Sequence, residues 1–135
     1  MSRGEINNRD RAMQINDFRG LRYGTITPTD IDGFLDLNDN VFVFIELKYG
    51  DAELPYGQRL ALERLCDAAW NGGKESYLLI GRHDVSDCAT DVDVATAMLV
   101  ELRRRGERVV LTNEQRTTIA SAISAIITLR HPFGA

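Results

Sequence analysis

The sequence predicts a mixed α/β domain in which helices pack on a sheet. Short apolar runs typical of strands occur at residues 41–48 and 76–81. Two longer segments, within 55–73 and 112–129, instead place apolar residues at helical spacing. The 135 residues contain no repeat and no low-complexity linker, so we expect one domain spanning 1–135.

The N-terminal elements rest on weaker signals. Residues 3–19 are polar with four apolar residues interspersed, a pattern that favours a helix. The stretch YGTIT, residues 23–27, is then predicted to be a short strand that ends at Pro28.

A β-hairpin is predicted next, from strands at about 30–37 and 41–48. The sequence NDN at 38–40 joins them, and Asn and Asp tolerate the left-handed backbone that short loops require. A three-residue loop of this kind pairs Leu37 with Val41, which fixes the register of the whole hairpin.

That register brings charged side chains together at the open end of the hairpin. Asp32 falls opposite Glu46, and Asp30 falls opposite Lys48. Like charges opposite each other destabilise a strand pair, so two carboxylates this close either share a proton or hold a cation. Carboxylate oxygens suit Mg²⁺ or Mn²⁺, and Lys48 reaches the same space. The alternative is that all four charges lie in water at fraying strand ends.

The second half of the chain is predicted to contain two helices and three strands. Pro55 suits the start of a helix and Gly72–Gly73 its end. We expect a buried strand in SYLLIG and then a hairpin that turns near Gly106. The last helix has a capping signal at Thr112 or Asn113. One face of the first helix carries Gln58, Ala61, Leu62, Leu65 and Ala69, and one face of the last carries Ile119, Ile123, Ile126 and Ile127.

An acid, about fourteen residues, then E-x-K at the end of an apolar strand and a following helix resembles the PD-(D/E)xK nuclease superfamily. That superfamily has a restriction-endonuclease-like core and includes Holliday-junction resolvases and phage exonucleases. The matching residues are Asp32, Glu46 and Lys48, and Gln58 matches a glutamine that some branches place on the helix. The resemblance covers roughly residues 5–82 and extends to small phage-encoded members.

Two positions depart from the family pattern. Pro28 precedes Asp30 by two residues and Asp32 by four, so Asp30 is an alternative metal ligand. The family often has an acid on its first helix, and Glu5, Asp10 and Asp17 are all candidates for it.

The resemblance implies a Mg²⁺- or Mn²⁺-dependent deoxyribonuclease. Asp32, Glu46 and the carbonyl of Leu47 would hold the metal. Lys48 would orient or activate water, and Gln58 would position Lys48 or that water. DNA is the implied partner, and a homodimer is one arrangement in which so short a domain grips two strands. Candidate phosphate contacts are Arg59, Arg64, Arg104 and Arg105, each of which is otherwise an ordinary surface base.

Two rival interpretations come from other functional classes. One is a catalytically inactive nuclease-like fold that binds DNA or protein, for example in host takeover by a phage. The short chain and its net charge of −4 favour it. The other is a plain structural α/β protein, in which Asp32 and Glu46 would be exposed.

Composition limits the remaining possibilities. A pI of 5.1 argues against a general nucleic-acid coat. No apolar run approaches the ~20 residues of a membrane span, and the N-terminus lacks a signal-peptide pattern, so we expect a cytoplasmic protein, in the host cell if it is phage-encoded. The spacing of Cys66, Cys88 and His83 does not match a zinc site, which predicts reduced structural thiols.

Overall fold

A computed structural model describes residues 14–130. Within that range a six-stranded sheet has the order β1-β2-β3-β4-β5, with β6 paired to β4 off this path. The predicted α/β class with a mixed sheet is confirmed, since β2 and β3 are parallel while the other pairs are antiparallel. The elements are β1 (Gly33–Leu37), β2 (Val41–Tyr49), α1 (Tyr56–Asn71), β3 (Glu75–His83), a 3₁₀ turn (Val94–Thr96), β4 (Met98–Arg104), β5 (Glu107–Val110), β6 (Thr117–Thr118) and α2 (Ile119–Arg130).

The β1–β2 hairpin has the predicted register. Leu37 pairs with Val41, and Gly33 pairs with Ile45. Asn38 and Asp39 adopt φ values of 60° and 64°, the left-handed backbone expected of this loop. The first strand begins at Gly33 rather than at residue 30, however, so Asp30 is not paired with Lys48 as predicted.

A hydrogen bond of Asp32 explains why β1 begins only at Gly33. The Asp32 Oδ2 atom accepts a hydrogen bond from the Leu47 amide at 2.7 Å. A side-chain oxygen thus satisfies a backbone donor that a longer β1 would have paired, and the ladder stops there. Asp32 is thereby tied to β2 beside Glu46.

The two helices lie on opposite faces of the sheet. Leu62 and Cys66 of α1 are buried against Phe44 and its neighbours, whereas Ile119 and Ile126 of α2 pack in the other apolar cluster. Because α1 connects two parallel strands, it runs antiparallel to β2, with its N-terminus above the carboxyl end of that strand. Gly81 of β3 allows α2 to approach, since a Cβ atom there would lie 3.2 Å from Ile119 Cδ1.

The predicted apolar stripe on α1 needs one correction. Leu65 is 41% exposed, and Glu63 and Cys66 are buried instead. Arg103 and Arg108 from the β4–β5 hairpin neutralise Glu63 with contacts of 2.9 and 3.0 Å, which allows a carboxylate to face the sheet.

A register shift in β4 decides which side chains face α1. The pairing of β3 with β4 shifts between Ile80 and Gly81, and Val100 has no partner in that register. Both Val100 and Glu101 consequently face α1, because the extra residue breaks the alternation of side chains.

Other boundaries also differ from the predictions. Residues 14–19 contain no helix, and the rest of the predicted N-terminal helix lies outside the described residues. Instead of a strand at 23–27 there is a single bridge between Tyr23 and Ile26 around a turn. The hairpin turn at Arg105–Gly106 and the buried strand β3 are confirmed.

The last helix begins later than the capping signal at Thr112 or Asn113 predicted. Thr118 provides the cap, since its Oγ1 accepts a hydrogen bond from the Ser121 amide at 3.1 Å. Thr117 and Thr118 pair with β4 as β6, so the helix cannot begin before them. The predicted isoleucine face is confirmed, since all four isoleucines belong to the α2-side core. No helix in residues 14–130 is long and apolar enough to cross a membrane.

Candidate active site

Glu46 is a buried carboxylate near the carboxyl end of β2, and α1 supplies its nearest partner. Only 3% of Glu46 is exposed. Its Oε1 accepts a hydrogen bond from Gln58 Nε2 at 2.9 Å and lies 3.3 Å from Lys48 Nζ. Lys48 Nζ in turn donates to Gln58 Oε1 at 3.1 Å. The three side chains form a closed triangle, and the prediction that Gln58 points toward Lys48 is confirmed.

The second oxygen of Glu46 is left over. Oε2 is buried and has no hydrogen-bond partner among the described residues. Burial raises the pKa of Glu46, and the charge of Asp32 raises it further, while Lys48 and Gln58 pull the pKa in the opposite direction. An unpartnered buried carboxylate oxygen is costly, and a proton or a cation would remove that cost.

Asp32 and the Leu47 backbone flank Glu46. Asp32 is exposed, unlike Glu46, and its hydrogen bond to the Leu47 amide holds it at this edge of β2. The N–H and C=O groups of a strand residue leave the strand on the same side, so the Leu47 carbonyl faces the same edge. Two carboxylates and one carbonyl are thus gathered at the end of β1.

A cleft of about 870 Å³ opens over these groups. Segment 25–30 forms one wall, and α1 forms the other with Gly57, Ala61 and Arg64. The Asp30 carbonyl lies 3.4 Å from Gln58 Nε2, so the segment also contacts the site through its backbone. Asp30 lines the cleft, but it is Asp32 that is hydrogen-bonded to β2. The sequence analysis did not predict that segment 25–30 lines the site. Pro28 and the alternating threonines on either side of it were the signal available in the sequence.

No acid from the predicted first helix joins the site in the part of the chain that the structure describes. Asp17 pairs with Arg19 at 2.8 Å, and Glu5 and Asp10 lie outside the described residues. No group of three or more His, Cys, Asp or Glu side chains within 14–130 is arranged to hold a metal. The candidate metal ligands here are therefore two carboxylates and a backbone carbonyl.

The predicted phosphate contacts separate into two groups. Arg64 lines the cleft. Arg59 instead makes a two-pronged ion pair with Glu101 at 2.7 and 2.9 Å. Arg104 lies on the α2 side of the sheet, and Arg105 lies over Trp70 and beside Glu75. Of these four arginines, only Arg64 is placed to contact a ligand in the cleft.

Both cysteines are free thiols, as predicted. Cys66 is buried, donates to the Arg103 carbonyl at 3.8 Å and accepts from the Ser76 hydroxyl. Burial raises the pKa of its thiol, which keeps it protonated and unreactive. Cys88 is exposed, so the prediction of a structural thiol is wrong for Cys88 and holds only for Cys66.

Protein-family models, curated proteins and solved structures were all compared with this chain, and none of them matches it. A function therefore has to be inferred from the chemistry of the site itself.

Proposed function

We propose that this chain is a Mg²⁺- or Mn²⁺-dependent deoxyribonuclease of the PD-(D/E)xK type. The observation that carries the proposal is Glu46, a buried acid with one oxygen unpartnered at the base of an open cleft. A strand that only formed the core would gain stability from an apolar residue at this position. Retaining the charge beside Lys48 and Gln58 is typical of a site in which the carboxylate binds something.

The donor atoms fit the proposed metal. Asp32, Glu46 and the Leu47 carbonyl offer oxygen only, and hard divalent cations such as Mg²⁺ and Mn²⁺ prefer oxygen ligands. The unpartnered Glu46 Oε2 is the atom whose burial a cation would offset. When bound, such a cation stabilises charge on a phosphoryl group and lowers the pKa of a bound water.

The side chains around the acids have separate tasks in this proposal. Lys48 is 21% exposed, so its ammonium reaches the cleft while Gln58 and Glu46 hold it in place. From there it donates a hydrogen bond to the attacking water or to the phosphate as negative charge develops. Gln58 fixes the relative positions of Lys48 and Glu46, because it is hydrogen-bonded to both.

Incubation of the purified protein with supercoiled, linear, single-stranded and four-way-junction DNA tests the proposal. We expect cleavage with Mg²⁺ or Mn²⁺ and none with EDTA. Asp32→Asn should abolish it, because the substitution removes a metal-binding charge. Asp36→Asn is the matched control, because this exposed acid of the same hairpin accepts a hydrogen bond from the loop amide of Asp39 and does not line the cleft. Cleavage in EDTA, or equal activity in both variants, would contradict the proposal.

A non-catalytic DNA-binding or protein-binding module is the second candidate. The net charge of −4 favours it, and so does the fact that no three acids within residues 14–130 are arranged to hold a metal. DNA binding without cleavage in Mn²⁺ would select this candidate. We propose that the chain acts in the cytoplasm, with DNA as the partner of the nuclease and with DNA or a protein as the partner of the binding module. Sedimentation at several concentrations would show whether it acts as a homodimer.

A further inference from the structure

The half-exposed aromatic ring of Phe34 lies next to the acids along the same face of the hairpin. Phe34 follows Asp32 by two residues, so the two side chains are on the same face of the hairpin. Its ring stacks on Phe44 with centroids 5.1 Å apart and 23° between the planes. Phe42 supports it edge-on at 5.2 Å. These two ring contacts hold Phe34 in one orientation. Phe34 is nevertheless 51% exposed.

Arg64 lies at a comparable level on α1, which forms one wall of the cleft. From Glu46 to Phe44 along β2 is two residues, about 7 Å. From Gln58 to Arg64 along α1 is six residues, about 9 Å in the same direction, because α1 runs antiparallel to β2. Arg64 is exposed, and its guanidinium makes no ion pair or hydrogen bond with another side chain or carbonyl within residues 14–130. Beyond the acids, the Phe34 ring therefore lies beside the cleft on the hairpin, and the Arg64 guanidinium lines the cleft from α1.

This pairing matches the chemistry of an unpaired nucleotide. Proteins bind single strands with aromatic rings that stack on bases and with cations that contact the phosphates. A base in a duplex already stacks on its neighbours and cannot also stack on Phe34 unless it is extruded. Glu46 adds to the argument, because it lies at the base of the cleft rather than on an open surface.

We infer that the site takes single-stranded DNA, or an unpaired end, with the nucleotide beside the scissile phosphate stacked on Phe34 and its phosphate contacted by Arg64. The choice of DNA rests on the proposed function. The added claim concerns strandedness and the two residues that select it.

Fluorescence anisotropy in EDTA tests this claim independently of cleavage. The probes are a labelled single-stranded oligonucleotide, the same sequence as a duplex, and the same sequence as RNA. We expect the single-stranded DNA to bind more tightly than the duplex. Phe34→Leu keeps an apolar side chain but removes the planar ring, and should weaken single-strand binding roughly 5- to 150-fold. Phe34→Tyr should restore it, and Arg64→Gln should weaken binding and flatten its salt dependence.

Trp70→Leu is the matched control, since this partly exposed aromatic lies at the far end of α1. The inference is overturned if duplex or RNA binds best, if no oligonucleotide binds, or if Phe34→Leu and Trp70→Leu behave alike. It is also overturned if Phe34→Leu only dissociates a dimer and leaves DNA affinity unchanged. Phe34-dependent single-strand binding without cleavage would sustain this inference while refuting the proposed nuclease activity. Cleavage that is unchanged in Phe34→Leu would sustain the proposed nuclease activity and refute this inference.

Discussion

Two groups of buried acids lie on the α1 face of the sheet, and they are satisfied in different ways. Glu63 and Glu101 accept hydrogen bonds from arginines at every carboxylate oxygen. Glu46 has one oxygen satisfied and one buried without a partner. The first group belongs to a network, the arginine cluster, of Arg59, Glu63, Asp67, Glu101, Arg103 and Arg108.

The difference separates a fully paired structural network from the proposed metal site. In the arginine cluster, ion pairing raises the pKa of Arg59 and Arg103 and lowers that of Asp67, so the folded state favours the charged forms of these three side chains. At Glu46, burial outweighs its partners and the pKa rises. Because no residue within 14–130 satisfies Glu46 Oε2, that oxygen remains available to the proposed cation.

Lys48→Ala should produce the largest functional effect. Removing the ammonium should leave metal binding intact or tighter, since a competing positive charge is gone. Cleavage should fall by about 10²- to 10⁴-fold, as when a charge-stabilising or proton-transfer group is lost. Gel-based cleavage in Mn²⁺ measures this, with Lys74→Ala as control because Lys74 binds Asp39 beside the β1–β2 loop. Cleavage at the parent rate would remove Lys48 from the reaction.

Arg103→Ala should instead lower the stability of the fold and leave the rate of cleavage by the folded protein unchanged. It leaves Glu63 and Asp67 without their main partner and should lower the free energy of unfolding by about 3 kcal/mol, the low end for a buried pair because Asp67 is partly exposed. Urea denaturation measures this change. Arg105 is half-exposed, and its contact with the Glu75 carboxylate is 3.3 Å long. Arg105→Ala should therefore change the free energy of unfolding by no more than about 0.5 kcal/mol. Equal losses in the two variants would show that the arginine cluster is not a special source of stability.

Gln58→Ala should give an intermediate effect. It removes the amide that bonds both Glu46 and Lys48, and we expect cleavage to fall about 10- to 100-fold, as is typical when a residue that orients metal ligands is lost. The fold should persist, because Gln58 is only half-buried at the start of α1. Circular dichroism checks the fold. Gln115→Ala is the control, because Gln115 lies in a loop and its side chain accepts a hydrogen bond from the Thr112 amide. Unchanged cleavage would exclude Gln58 from the site.

The pH dependence of stability should be the smallest effect, with opposite signs in the two regions. A raised pKa at Glu46 means that the metal-free folded state holds a proton that the unfolded state has lost. Above the ordinary value of 4.5, stability relative to Glu46→Gln should therefore fall as pH rises to the raised pKa. Asp67, whose pKa is lowered from 3.8, should stabilise the parent over Asp67→Asn above that value and lose this advantage as pH falls through the lowered pKa. Slopes of equal sign in denaturation series would contradict the comparison.

The hairpin shows how far sequence reasoning reaches. Asn38 and Asp39 accept left-handed backbone, so loop chemistry fixed the register and hence the approach of Asp32 to Glu46. The position of Gln58 followed from helical spacing after Pro55. These predictions succeeded because each depends on local conformation and on the alternation of side chains.

The predictions failed where a distant residue decides the outcome. Glu63 is buried only because Arg103 and Arg108 reach it from about forty residues away. The β4 register shift that turns Glu101 toward Arg59 leaves no clear pattern in the sequence. Thr118 caps α2 because β6 pairs with β4, and that pairing outweighs the earlier capping signal at Thr112.

Mn²⁺ titration by calorimetry, without DNA, tests most directly whether Glu46 is a metal ligand. We predict that the parent protein binds Mn²⁺ and that Glu46→Gln, which keeps the shape of the side chain, loses this binding while remaining folded. Glu63→Gln should bind Mn²⁺ like the parent, although it is less stable. Equal Mn²⁺ affinity in the parent and Glu46→Gln, or no binding by the parent, would contradict the account.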